Sequence, residues 1–126
     1  MRNVPLAAEQ LRRQDAAARR ADTAEKAAEK TGNLLAVLRR SGFVMLCGGH
    51  VPTQNHFFAQ LGLPGLFHNY HGIVLGVSAG SMNAAHIVYA APEEPGEAAD
   101  PHYSRWMNGL GLTETRILPH YQFIRD

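Results

Sequence analysis

Ile73-Val74-Leu75-Gly76-Val77-Ser78-Ala79-Gly80-Ser81 is the stretch that decides how this chain is read. Ile73-Val74-Leu75 is a short apolar run of the kind that forms a buried strand. Met82-Asn83-Ala84-Ala85-His86-Ile87-Val88-Tyr89 follows the stretch and reads as a helix. Between them Ser78 stands two residues from a glycine on each side. A serine on a tight strand-to-helix turn with this spacing is a nucleophile elbow. The glycines allow the sharp turn and the close approach of neighbouring backbones. The strand end pushes the Ser78 hydroxyl into the open, and the free N–H groups at the helix start favour negative charge.

Upstream, Phe43-Val44-Met45-Leu46-Cys47 is a second continuous apolar run, as expected for a parallel strand covered on both faces. It leads into Gly48-Gly49-His50. Residues 53–61 read as a helix with Thr53 as its N-cap, ended by Gly62 and Pro64. A shorter segment covers residues 64–70. Residues 34–40 form an amphipathic helix ending near Ser41-Gly42, with Arg39 and Arg40 at the favourable end. Before it, residues 5–30 are rich in Ala, Arg, Glu and Lys, with high helix propensity but few large apolar side chains. A solvated helical extension over residues 1–33 is expected, with a break at Thr31-Gly32-Asn33. Downstream, residues 92–101 form an acidic loop, Arg105 to Leu110 a helical turn, and Thr115 to Leu118 a strand that runs into Pro119-His120-Tyr121.

This order of elements predicts an α/β fold over residues 34–126, an open, mostly parallel, doubly wound sheet with helices on both faces. Three strands are legible, where such sheets usually hold about five or six. The α/β domain is therefore expected to be partial, with unpaired edges that favour a homodimer.

A serine hydroxyl needs a base to take its proton. Of the seven histidines, His120 is the best placed, in a loop expected at the C-terminal end of a strand, where sites on open α/β sheets lie. A carboxylate should orient its ring. Glu93 and Glu94, in the loop between Ser78 and His120, are the candidates, and the order Ser, acid, His is that of other elbow hydrolases. The oxyanion hole should draw one N–H from Ala79, immediately after the nucleophile, and another from Gly48 or Gly49. Cys47 ends an apolar strand and is expected to be buried. His68 and His71 make a weak metal pair without a third fixed ligand, so no metal and no cofactor are expected.

Three motifs in order carry a resemblance: Cys47-Gly48-Gly49-His50 with Thr53-Gln54-Asn55, then Gly76-Val77-Ser78-Ala79-Gly80-Ser81, then Leu118-Pro119-His120. Together they resemble the peptidase E and cyanophycinase family, closest to its bacterial branch of type 1 glutamine amidotransferase-like proteins. The resemblance covers about residues 34 to 126. It implies a class I glutamine amidotransferase-like, flavodoxin-like fold and a serine-type peptidase. It maps the nucleophile to Ser78, the histidine to His120 and the oxyanion loop to Gly48-Gly49. It also implies small peptide substrates with an aspartyl residue beside the cleaved bond. The family's Asn after the paired glycines is replaced here by His50, and its triad aspartate has no clear counterpart, Glu93 or Glu94 lying nearest by spacing. Two other readings stand beside this one: a non-catalytic interaction module that keeps the fold, and amidotransferase chemistry, which would want a cysteine at the elbow.

Composition bounds the partners. Hydrophobic residues make up 45% of the 126-residue chain, enough for a core, and the formal net charge of +1 argues for neither nucleic acid nor membrane. The charge is uneven: residues 1–40 hold nine of the twelve Lys and Arg and five of the eleven acids. Those arginines are interleaved with acids, which fits a solvated helix better than a nucleic-acid arm. No apolar run approaches the ~20 residues that cross a bilayer. The single cysteine allows no intramolecular disulfide and fits a reducing, cytoplasmic setting.

Overall fold

A computed structural model describes residues 4–120, so Tyr121 of the last motif lies outside the described residues. The fold is mixed α/β, with helices, one small parallel sheet and one small antiparallel sheet. The chain divides into two compact units, Met1–Leu34 and Leu35–Asp126.

Helix α1 (Val4–Arg40) is continuous, and the break expected at Thr31-Gly32-Asn33 does not occur. Gly32 costs a helix interior about 1 kcal/mol relative to Ala, which is too little to end it between two strongly helical stretches. Thr31 turns its hydroxyl back onto Ala27 O at 3.0 Å, so it does not compete as a cap. The described side chains over residues 9–30 of this helix are exposed. Arg13–Glu9 and Lys26–Asp22 pair across single turns.

In the second unit, β1 (Phe43–Leu46) and β2 (Ile73–Gly76) form the expected parallel pair, in the register Phe43↔Ile73 to Leu46↔Gly76. Helices α2 (Val51–Gln60) and α3 (Leu63–Phe67) cross between them. α2 starts two residues earlier than its expected Thr53 cap: His50 is the N-cap, and a proline fills the first turn, where its missing N–H costs nothing. Gly62, with φ 69°, separates α2 from α3 in a left-handed conformation that suits glycine.

Helix α4 is only Ala79–Asn83, much shorter than the span expected over residues 82–89. Ile87–Tyr89 forms strand β3 instead, its burial alternating about a buried Val88. β-branched and aromatic residues in succession favour the pleated state, and this run finds a partner. That partner is β4 (Trp106–Asn108), where a helical turn was expected; it pairs antiparallel, with Val88 opposite Met107. No strand forms at residues 115–118. Just before that segment, Thr113 makes an isolated parallel bridge with Ala85. The described sheets thus hold two strands each, and no doubly wound sheet is seen among them.

The core centres on Val51, Ala79, Met82, Val88 and Ala90, flanked by Tyr103 and Met107. Ala79 and Met82 of the elbow helix are therefore held against α2 and β3. One polar side chain sits among them. Asn83 is fully buried and its amide is satisfied on both sides, donating to Val51 O and Gln54 Oε1 and accepting from Asn55 Nδ2. Asn55 also donates to Asn108 O, which ties β4 to α2. The opposite side of the unit differs: Phe43, Met45, Ile73, Leu75 and Val77 are exposed. Their alternation in register puts Phe43, Met45, Ile73 and Leu75 on one face of the parallel pair.

Candidate active site

The elbow is built by close backbone packing. The end of β1 passes so near the start of α4 that a Cβ on Gly80 would collide with Leu46 O. A Cβ on Gly76 would meet Ser81 Cα at 2.6 Å. Both positions therefore need glycine, and between them the chain has to turn within two residues. Ser78 absorbs the turn, with φ 52° and ψ −121°. A side chain at positive φ is strained, and such residues concentrate at functional sites. The turn leaves Ser78 exposed and Ala79 buried behind it.

The amides of Gly80, Ser81 and Met82 are occupied by Val77 O and Ser78 O. Ala79 opens the helix, and a first-turn amide has no intrahelical acceptor. Its N–H is suited to an oxyanion. Five residues make too short a helix for the axial field expected of a longer one.

Gly48 lies beside Ser78: a Cβ there would be 3.2 Å from Ser78 Cβ and 3.7 Å from Ser78 Oγ. The Gly48-Gly49 loop is held at both ends. Gln54 Nε2 donates to Cys47 O at 2.7 Å. His50 Nδ1 lies 2.8 Å from Thr53 Oγ1. Thr53, Gln54 and Asn55 thus all brace the site, the last two through Asn83 as well. Cys47, expected to be buried, is exposed, because β1 ends at Leu46 and the next residue leaves the packed layer.

His120 has φ 56°. Among the described residues, Ser78 and His120 are the only non-glycines at positive φ. His120 Nε2 lies 3.7 Å from Glu93 Oε1, a long ion-pair distance between two partly exposed side chains. Glu93 is therefore the acid that the structure brings to His120. Glu94 turns elsewhere, to a group with His50 and Glu97 whose ligand atoms lie within 4.8 Å of one another.

Glu97 and His50 were passed over in the sequence and are central here. Glu97 opens a single 3-10 turn after Gly96. Its Oε2 accepts the backbone N–H groups of Glu93 at 2.9 Å and Glu94 at 3.0 Å. Its Oε1 lies 2.8 Å from His50 Nε2, though off the line of a good N–H···O bond, so the two groups are held in close contact. The amide of Glu94 is the main reason the Glu97 carboxyl sits below its usual range; burial opposes it, and the Glu93 amide and His50 add to it. Tyr103 is pushed up by burial, with the Glu97 and Glu93 charges contributing. His50, Glu94 and Glu97 are the one described group with donors close enough for a cation. The weak sequence signal for Glu97 is a glutamate three residues after the turn begins, reaching back as in a capping box that lacks the Ser or Thr.

A groove of about 490 Å³ lies between Tyr89, Pro92, Trp106, Ile117 and Leu118, with Arg116 in its wall. Its walls are almost wholly apolar, and Tyr89 and Trp106 meet edge to face with centroids 4.9 Å apart. Pro92 immediately precedes Glu93, and Leu118 stands two residues before His120.

Comparison with protein-family models, with curated proteins and with solved structures found no match. Among the described residues no helix is long and apolar enough to cross a membrane.

Proposed function

We propose that this chain is a serine hydrolase of peptide or isopeptide bonds, similar to peptidase E and built on a partial, flavodoxin-like α/β domain. One observation carries the reading: the two residues expected to be nucleophile and base, Ser78 and His120, are the two described non-glycines held at positive φ. Strain of this kind costs about 1–3 kcal/mol per residue and persists where the surrounding structure enforces it. In this reading Ser78 Oγ attacks the scissile carbonyl while His120 takes its proton. Glu93 faces the imidazole and stabilises its charged form. The N–H groups of Ala79 and of the Gly48-Gly49 loop hold the oxyanion. His120 then returns the proton to the leaving amine, and a water molecule, activated by the same histidine, releases the acyl group from Ser78. The groove beside Pro92 and Leu118 suits the apolar part of a small peptide. Arg116 in its wall supplies a cation for an aspartyl or terminal carboxylate. A cytoplasmic setting fits the exposed single cysteine.

Purified protein treated with a serine-directed fluorophosphonate is expected to label, and Ser78→Ala to abolish labelling and hydrolysis of aspartyl dipeptides. A wild-type chain that neither labels nor cleaves such dipeptides overturns the reading.

A second reading, an interaction module that keeps the elbow as structure, is favoured by the exposed apolar face of Phe43, Met45, Ile73 and Leu75. It predicts normal folding and no labelling.

A further inference from the structure

We infer that Glu97 is a positioning residue, a carboxylate clamp that ties the Gly48-Gly49 loop to the loop carrying Glu93. The inference rests on the serine-hydrolase reading and deepens it.

The clamp has two ends. On one, Glu97 Oε2 accepts the successive amides of Glu93 and Glu94, at 2.9 and 3.0 Å. This fixes the backbone from which the Glu93 side chain reaches His120. On the other, Glu97 Oε1 lies 2.8 Å from His50 Nε2. His50 is itself anchored: it caps α2, its carbonyl accepts the Gln54 amide, and its Nδ1 lies 2.8 Å from Thr53 Oγ1. Gly49 and Gly48 precede it directly, and Gly48 abuts Ser78. A continuous run of contacts therefore leads from the acid's backbone, through Glu97 and His50, to the loop beside the nucleophile.

The chemistry suits a carboxylate. An ionised glutamate is an acceptor with two oxygens, so one oxygen can serve the two amides while the other lies against the imidazole. Hydrogen bonds to a charged acceptor are about twice as strong as neutral ones. Both partners are shielded, the Glu97 side chain being 15% exposed and that of His50 19%, which separates this pair from the surface ion pairs on α1. Position is what the clamp controls. Oxyanion donors act only at the right distance, and a displacement of about 1 Å can cost on the order of 10²-fold in rate.

The test compares fluorophosphonate labelling rates of wild type, Glu97→Gln, Glu97→Ala and His50→Gln, with hydrogen exchange read at the Glu93 and Glu94 amides. The Gln variant keeps an oxygen for the two amides and is expected to label within about 3-fold of wild type. Glu97→Ala is expected to slow labelling by about 10–100-fold and to speed exchange at both amides. His50→Gln is expected to slow labelling while leaving those amides protected. It also keeps the inference open to refutation should Glu97→Ala fail to fold. Glu97→Ala labelling at the wild-type rate overturns the clamp while leaving the serine reading intact. Glu97→Gln as slow as Glu97→Ala overturns it too, because the charge would then act in the reaction rather than through position. A wild type that does not label overturns the serine reading, an outcome visible apart from the exchange data.

Discussion

The two sides of the candidate site are built differently. On the Ser78 side every group is braced: glycines allow backbones to touch, Gln54 and Thr53 hold the Gly48-Gly49 loop, and buried Asn83 joins α4 to α2. On the His120 side a partly exposed histidine faces a partly exposed glutamate across 3.7 Å. In the proposed reading the nucleophile sits in a strained turn, which dense packing enforces. In the same reading the base has to reach its proton and release it, and catalytic hydrogen bonds often tighten only with substrate present. The difference teaches that two residues at positive φ can be held in different ways: the Ser78 backbone by dense packing around it, and the His120 side chain left exposed beside one glutamate.

The sharpest way to break this comparison is at Asn83. Asn83→Ala removes a buried amide, leaves Val51 O and Gln54 Oε1 without its donor, and takes from Asn55 Nδ2 one of its two acceptors. Orphaned buried polar groups cost about 1–3 kcal/mol each, more in a connected network. The expected loss is about 3 kcal/mol in urea unfolding, with labelling of Ser78 lost alongside. Glu93→Gln on the other side is expected to move unfolding by less than about 0.5 kcal/mol and to lower hydrolysis by about tenfold. Equal stability effects at the two positions would erase the distinction.

Legibility in the sequence follows the same divide. The parallel pair β1–β2 and the elbow were readable because apolar runs bounded by glycines have few alternatives. The nearness of Gly48 to Ser78 followed from that local pattern. The segment 84–118 misled for a physical reason. Met82 to Tyr89 has residues that tolerate a helix, and only the distant pairing of Val88 with Met107 makes its second half a strand. Thr115 to Leu118 has strand propensity, but among the described residues no strand pairs with it. Glu97 and His50 were hidden because the capping-box-like spacing of Glu97 is weak without a Ser or Thr, and nothing local marks its contact with a histidine 47 positions away. Asn83 was hidden because an asparagine in a short helix carries no sign of burial until α2 is laid against it.

A smaller effect tests the link between the two sides. The Glu97 carboxyl sits low mainly because the Glu94 amide favours its charged form, with the Glu93 amide and His50 adding to this against burial. A lowered carboxyl contributes stability that is complete above the ordinary glutamate value and is lost as pH falls through the lower folded one. The groups facing it are His50 from the cap of α2, Glu93 and Glu94 from its own loop, and Tyr103. The gap in melting temperature between wild type and Glu97→Gln is therefore expected to be widest near neutral pH and to close below about pH 4. A gap that does not change between pH 7 and pH 3 would mean that the carboxylate charge plays no part in joining the two loops.

The smallest effect is expected on the face that the site does not use. Ile73 is 68% exposed, beside Phe43, Met45 and Leu75. A β-branched polar replacement, Ile73→Thr, keeps strand propensity and removes little buried surface, so unfolding should shift by no more than about 0.5 kcal/mol. Parallel strands are usually covered on both faces, however, and an uncovered apolar patch invites a partner. Melting followed across a hundredfold range of protein concentration separates the two situations. A midpoint that holds constant, with a small effect of Ile73→Thr, leaves this face outside the packed architecture that braces Ser78. A midpoint that rises with concentration, and falls by several degrees in Ile73→Thr, places a second copy of the chain on the face. The bracing of the nucleophile side would then extend through β1 and β2 into a dimer.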